Sequence, residues 1–310
     1  MKNIPCRKSF TETLLELARQ DGRIIALASD SKGSVTLNEF ADTLPEQFVE
    51  CGIAEQDEVG IAAGLSTMGF KTFVCAPACF LATRSLDQVK VDVAYSNTNV
   101  KIIGISGGVS YGALGMSHHS LQDIAVMRAI PGMTIILPAD EYQTREMTKA
   151  LTQHSGPVYV RMGRGSVEPV YSEESSPFII GRANVLTEGT DAAVFATGET
   201  VSQAVKAARL LSEKGISVRV LDFHTIKPLD EEAIKKAAAE CRILVSTEEH
   251  SIYGGLGEAV LHTLSDSPKK LSLLGFPDEP LVSGDSKELF AHYGIDAAGI
   301  AAEVLRRCEK

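Results

Sequence analysis

Five short, unbroken apolar runs separated by helical patterns constrain this chain more than any other feature. They cover residues 23–28, 71–76, 100–105, 133–137 and 158–160. Continuous hydrophobicity, as opposed to alternation, marks strands covered on both faces. With amphipathic segments between them, such runs predict a parallel sheet sandwiched by helices. The first helix opens on Ser9-Phe-Thr-Glu12, a capping-box pattern, buries Phe10, Leu14, Leu17 and Ala18, and ends near Gly22. The stretch from Pro169 to Pro177, rich in Ser and Glu, breaks the pattern and reads as a linker. The alternation then resumes with a strand over 192–197, a helix capped by Thr200-Val-Ser-Gln203 and closed by Gly215, and a strand over 216–221. Two α/β domains are expected, 1–168 and 185–310, joined by a linker over 169–184.

Charge and hydropathy remove several classes of function. A formal net charge of -10 argues against nucleic acid or an anionic membrane surface as partner. No apolar run reaches the roughly 18 residues of a bilayer span. The first residues, Met1 to Ser9, lack the apolar centre of a secretory signal, so a cytoplasmic location is expected. Cys6, Cys51, Cys75, Cys79, Cys241 and Cys308 form no CxxC pair and have no histidine at metal-ligand spacing. They are expected to be reduced and mostly buried, and no metal site is expected on this chain.

Chemistry-bearing residues cluster in the first half. Glu55, in Gly52-Ile-Ala-Glu-Gln56, opens a small-residue helix over 59–64 and has no partner in the local sequence. Such carboxylates concentrate at functional sites, although a first-turn acid favoured by the helix dipole has the same appearance. Asp30, within Ser29–Ser34, directly follows a strand, where ligands gather in open α/β sheets; it also suits a plain turn. The glycine-rich segment 104–119 is too long for a bland connection. It ends in His118-His119, ahead of a helical pattern over 121–129. Phe80 taken alone is a core aromatic. Arg161 and Arg164 follow a strand, Arg7 precedes the first helix, and Ser34 lies near Asp30. Guanidinium forks suit tetrahedral oxyanions. The glycines of 254–257 do not form GxGxxG after a strand, which excludes a dinucleotide fingerprint.

The segment Phe48-Val-Glu-Cys-Gly-Ile-Ala-Glu-Gln56 resembles the part of thiamine-diphosphate enzymes of the transketolase family that carries the cofactor-activating glutamate. Glu50 precedes that position; Asp57 and Glu58 follow it. The resemblance continues through Phe223–Asp230 and Glu248–Glu258, which look like the family's C-terminal domain. It implies a pyrimidine-binding parallel-sheet domain followed by a transketolase C-terminal α/β domain. It also implies that Glu55 hydrogen-bonds ring N1′ of thiamine diphosphate, with an apolar surround raising its pKa. Phe80 resembles the stacking phenylalanine, with Pro77 where a first family phenylalanine would stand. Asp30 resembles an acid near the cofactor. His118, catalytic and substrate-binding, resembles the residue that hydrogen-bonds the substrate oxygen, with His119 its neighbour. Arg7, Ser34 and Arg164 match residues that hold a substrate phosphate.

Departures from the family pattern are informative. Gly107 replaces a phosphate-binding histidine, and Gly112-Ala-Leu114-Gly115 replaces Gly-Glu-Asp-Gly, so a hydroxyl-reading aspartate becomes Leu114. An atypical ketose, sulfonated or unphosphorylated, is therefore expected. The Gly-Asp-Gly with a downstream Asn that holds magnesium and the diphosphate is absent. The resemblance thus implies the C-terminal subunit of a split, two-chain transketolase, with Mg2+ ligands on a separate N-terminal subunit and two copies of each. The implied reaction moves a two-carbon ketol unit from a ketose to an aldose through a thiamine-diphosphate carbanion. Alternatives are the beta subunit of a 2-oxo acid dehydrogenase, a deoxyxylulose-phosphate synthase relative, or a non-catalytic scaffold.

Overall fold

The apolar runs become strands in a computed structural model that describes residues 3–309; the expected end points 1 and 310 lie outside the described residues. The first six strands are β1 (Ile24–Ala28), β2 (Phe48–Glu50), β3 (Lys71–Pro77), β4 (Val100–Ile105), β5 (Thr134–Ile136) and β6 (Val158–Met162). After the linker come β7 (Asn184–Thr187), β8 (Ala192–Ala196), β9 (Val218–Asp222), β10 (Thr225–Lys227), β11 (Ile243–Ser251) and β12 (Leu271–Phe276). One sheet has the order β10-β5-β6-β4-β3-β1-β2 and the other β12-β11-β8-β9-β7. Pairing is parallel except for β10 on β5 and β7 on β9. Every strand predicted from a continuous run is present. β2, β7, β10, β11 and β12 are not anticipated from the sequence: β2, β7 and β10 are short or half-exposed, and in β11 only Ile243, Leu244 and Val245 are apolar before polar residues follow.

β10 crosses between the halves. It leaves the second half of the chain and lies antiparallel along β5, closing an edge that would otherwise be open. Behind it, one apolar core is continuous across both halves: Ile135, Leu137 and Met127 pack with Phe195, Phe223 and Leu256.

Two expected caps are replaced. The first helix spans Cys6–Ala18 with Pro5 at its N-cap and no side-chain cap. Ser9 is interior, and its hydroxyl donates to the Glu141 carbonyl at 2.7 Å. The helix Thr200–Ser212 likewise has no side-chain cap, and Thr200 Oγ1 donates to the carbonyls of Thr197 and Thr247. Buried hydroxyls take whichever acceptor tertiary packing supplies, so a local capping pattern is weak evidence. Side-chain caps occur instead at Asp140, Asp230, Asp285 and Asp296. Gly215, at φ 75, does follow the second helix as expected. All six cysteines are free, and only Cys51 and Cys308 are partly exposed. The carboxyl ends of β1, β3 and β4 converge on one edge of the larger sheet, where the candidate site residues gather.

Candidate active site

β1 delivers Ser29 and Asp30 to that edge. Asp30 turns the chain through a left-handed conformation, φ 50, which aspartate tolerates. Its N–H donates to Glu50 Oε1 at 2.7 Å, and the Gly52 N–H donates to the same oxygen at 3.1 Å. Glu50 therefore ties the β1 loop to the turn that launches the helix Glu55–Thr67. Glu55 is the first residue of that helix, buried, with the helix N-terminus favouring its negative charge.

The missing partner of Glu55 lies 29 residues away. Arg84, at the end of the helix Ala78–Arg84, donates from Nη1 to Glu55 Oε1 at 2.8 Å. Its guanidinium carbon sits 4.1 Å from the centre of the Phe80 ring. Positions 80 and 84 share a helix face, which was the available sequence signal. Instead of a purely apolar surround, Glu55 has a guanidinium beside it and an aromatic face close by. One turn further along, Glu58 is fully buried, and burial pushes its carboxyl up to about 8. It accepts the Cys75 N–H at 3.2 Å.

The glycine-rich segment supplies the opposite wall. Ser106 and Gly108 adopt positive φ, and a short 3-10 turn spans Gly112–Ser117. The His118 ring lies 5.3 Å from Phe80 and 5.5 Å from Tyr111, edge-on to both. Its Nδ1 is 2.9 Å from Ser117 Oγ. His119 is buried and braces the loop, with Nε2 3.1 Å from the Gly112 carbonyl. Ser29, Asp30, Ser34, Glu55, Phe80 and His118 line one open cleft with Arg84, Tyr111 and Leu114.

Arg7 donates to the carbonyl of Ser34, which lines the cleft, and Arg164 lines an adjoining cavity with Tyr111 and Leu114. Arg164 lies over the Tyr111 ring at 4.9 Å. Burial, and then the charge of Arg164, lower the Arg7 pKa. Among the described residues neither guanidinium has a carboxylate at ion-pair distance, so an incoming anion meets two uncompensated cations. Arg161, by contrast, is buried, with Nη2 3.2 Å from Glu249 Oε2 and Nε 3.6 Å from Asp123 Oδ2. It also explains Gly107: a Cβ there would lie 2.1 Å from Arg161 Nε, leaving no room for a histidine. Leu114 stands exposed on the cleft wall. The residues missed by sequence reasoning are Arg84, Tyr111 and Glu58. Chemically, the site offers a carboxylate beside an aromatic face for a flat, basic heterocycle, and two arginines for an anion.

Comparison with known proteins covers nearly the whole chain. Residues 2–169 match the family described as transketolase, pyrimidine binding domain, and residues 181–300 match transketolase, C-terminal domain. An apulose-4-phosphate transketolase subunit of Phocaeicola vulgatus is 57% identical over 307 residues, 99% of this chain and 98% of that protein. The 6-deoxy-6-sulfo-D-fructose transketolase subunit SqwH of Clostridium sp. is 37% identical, covering 97% of this chain and 94% of that protein. A solved structure of a split gene transketolase, described as an inactive beta4 tetramer, superposes with a TM-score of 0.89 at 37% identity, over 98% of each chain.

Proposed function

Because the chain belongs to the transketolase family, as a subunit of the split kind, we propose that it moves a two-carbon ketol unit from an anionic ketose to an aldose. The observation that carries this reading is the juxtaposition of buried Glu55 with the Phe80 face in an open cleft. A carboxyl group and a stacking ring are what an aminopyrimidine requires, so the residues fit thiamine diphosphate. When bound, that cofactor supplies the nucleophilic carbon and the electron sink for breaking the C2–C3 bond. Glu55 would share a proton with the pyrimidine nitrogen, Phe80 would stack on the ring, and Asp30 would border it. His118 exchanges protons with the substrate oxygens, and Ser34, Arg7 and Arg164 orient its anionic end.

Magnesium and the diphosphate are assigned to a separate N-terminal subunit, with two copies of each chain in a cytoplasmic complex. The solved relative is an inactive tetramer of one chain type, which agrees with a need for that partner. Within this chain we keep the division 1–168, 169–184 and 185–310, β10 being the segment that reaches back.

The substrate we propose is a ketose phosphate of the kind named for the 57%-identical relative, apulose 4-phosphate. Leu114 supports it, since an apolar wall stands where a hydroxyl-reading aspartate is expected. The test is reconstitution with the N-terminal subunit, magnesium and thiamine diphosphate. Catalytic efficiencies for apulose 4-phosphate, 6-deoxy-6-sulfofructose and xylulose 5-phosphate are then compared, with Glu55→Gln as control. The control should lose on the order of a hundredfold or more in kcat while remaining folded. A clear preference for xylulose 5-phosphate makes Leu114 irrelevant to specificity, and full activity of Glu55→Gln removes the assignment.

A further inference from the structure

Resting on the ketol-transfer reading, we infer that Glu249 and Ser286 are positioning residues: they moor Val109 and thereby set the cleft-facing residues Tyr111, Leu114 and His118. Val109 is gripped at both polar ends by the second half of the chain. Its N–H donates to Glu249 Oε1 at 2.8 Å, and its carbonyl accepts from Ser286 Oγ at 2.8 Å. Its side chain is fully buried among Phe276, Leu281, Leu289 and Phe290. A buried peptide group must find partners, and here both come from the second domain.

The backbone approach is close. A Cβ on Gly108 would lie 2.2 Å from Arg161 Nη2 and from the Glu249 carboxyl carbon. One on Gly112 would lie 2.0 Å from the Gly284 carbonyl oxygen. Main chain thus rests directly on the second domain, and only glycine permits it. Glu249 is itself held: Arg161 Nη2 donates to its carbonyl at 2.6 Å and to its carboxylate at 3.2 Å. Ser286 opens the helix Ser286–His292, whose start is fixed by the Asp285 capping box.

The segment therefore has one moored side and one working side. On the working side Tyr111 faces Arg164, and His118 faces Phe80. A ketose reaching from Phe80 to Arg164 depends on that spacing, and small misplacements of positioning groups weaken productive binding strongly. The cleft around Glu55 and Phe80 is lined by residues of the first domain, while Gly284, Asp285 and Ser286 border the adjoining cavity at Tyr111 and Arg164. The second domain's hold on the Tyr111–His118 wall runs through Val109.

The test uses the complex with its N-terminal subunit. Ser286→Ala leaves the Val109 carbonyl buried without its donor, and KM for the ketose phosphate should rise about tenfold. The value of kcat should stay within about twofold, and thiamine-diphosphate affinity should not move, since Glu55 and Phe80 stand on other elements. Ser286→Thr, which keeps the hydroxyl, should restore KM. Amide exchange over residues 107–119, measured on the chain without substrate, should quicken in Ser286→Ala and not in Ser286→Thr. Unchanged KM or unchanged exchange overturns the inference, and so does a joint loss of kcat and cofactor affinity, which is the mark of general damage. A wild-type complex that transfers no ketol unit from any ketose refutes the functional reading instead, and the exchange measurement still judges the mooring.

Discussion

Arg84 touches Glu55 and Phe80 at once, through a 2.8 Å hydrogen bond to the carboxylate and a guanidinium 4.1 Å from the ring centre. These are the two partners that the proposed function gives to the cofactor's flat heterocycle. The guanidinium is itself flat and donates hydrogen bonds, so under the proposed function it would compete with the heterocycle for both.

Arg84→Ala is therefore expected to tighten thiamine-diphosphate binding. The Arg84 side chain is 42% exposed, so the pair contributes only about 1 kcal/mol, equivalent to roughly fivefold in Kd. Calorimetric titration of the reconstituted complex checks the direction. Weaker binding by the variant means that Arg84 stays in place and assists the cofactor.

Glu58 makes stability depend on pH in an unusual direction for a carboxylate. Burial raises its pKa from 4.5 to about 8. The folded chain thus keeps a proton that the unfolded chain releases. The stabilisation from neutral Glu58 is complete below about pH 4.5 and is lost as pH climbs through about 8. Glu58→Gln keeps the shape and removes the titration. Its stability advantage over the wild type should grow between pH 5 and 8, by on the order of a few kcal/mol. Thermal melts across that range test this, and parallel curves for the two proteins count against it.

Arg7 and Arg164 should bind anions before any sugar is present. Inorganic phosphate is expected to raise the melting temperature of the chain, and Arg164→Ala to abolish the effect. In the complex, the same substitution should raise KM for a ketose phosphate roughly ten- to a hundredfold, the value of a charged hydrogen bond. An unphosphorylated ketose should show little change. Equal losses on both ketoses place Arg164 outside the anion site.

Gly107 and Leu114 should respond differently to restoration of the family residues. Gly107→His drives a side chain into Arg161, and overpacking of this kind costs about 1–3 kcal/mol or more. The variant should melt earlier and gain no new specificity. Leu114→Asp adds an acceptor on an exposed wall; it should fold normally and shift preference toward hydroxyl-rich ketose phosphates. A stable, fully active Gly107→His protein contradicts the packing argument.

The parallel α/β class, the strands with continuous apolar runs, and the placing of Asp30, Glu55, Phe80 and His118 after or between them, where they line one cleft, were legible in the sequence. Continuous apolar runs report burial directly, and a carboxylate or glycine-rich loop after such a run is a local signal. The ion pair of Glu55 with Arg84, the buried fate of Arg161, and the crossing of β10 to β5 were decided by tertiary structure alone. Each joins residues far apart in the chain, and no period or spacing encodes which arginine reaches which carboxylate. The hydroxyls of Ser9 and Thr200 show the same limit from the other side. Locally they match a cap, yet buried carbonyls brought by folding offered them better-placed acceptors.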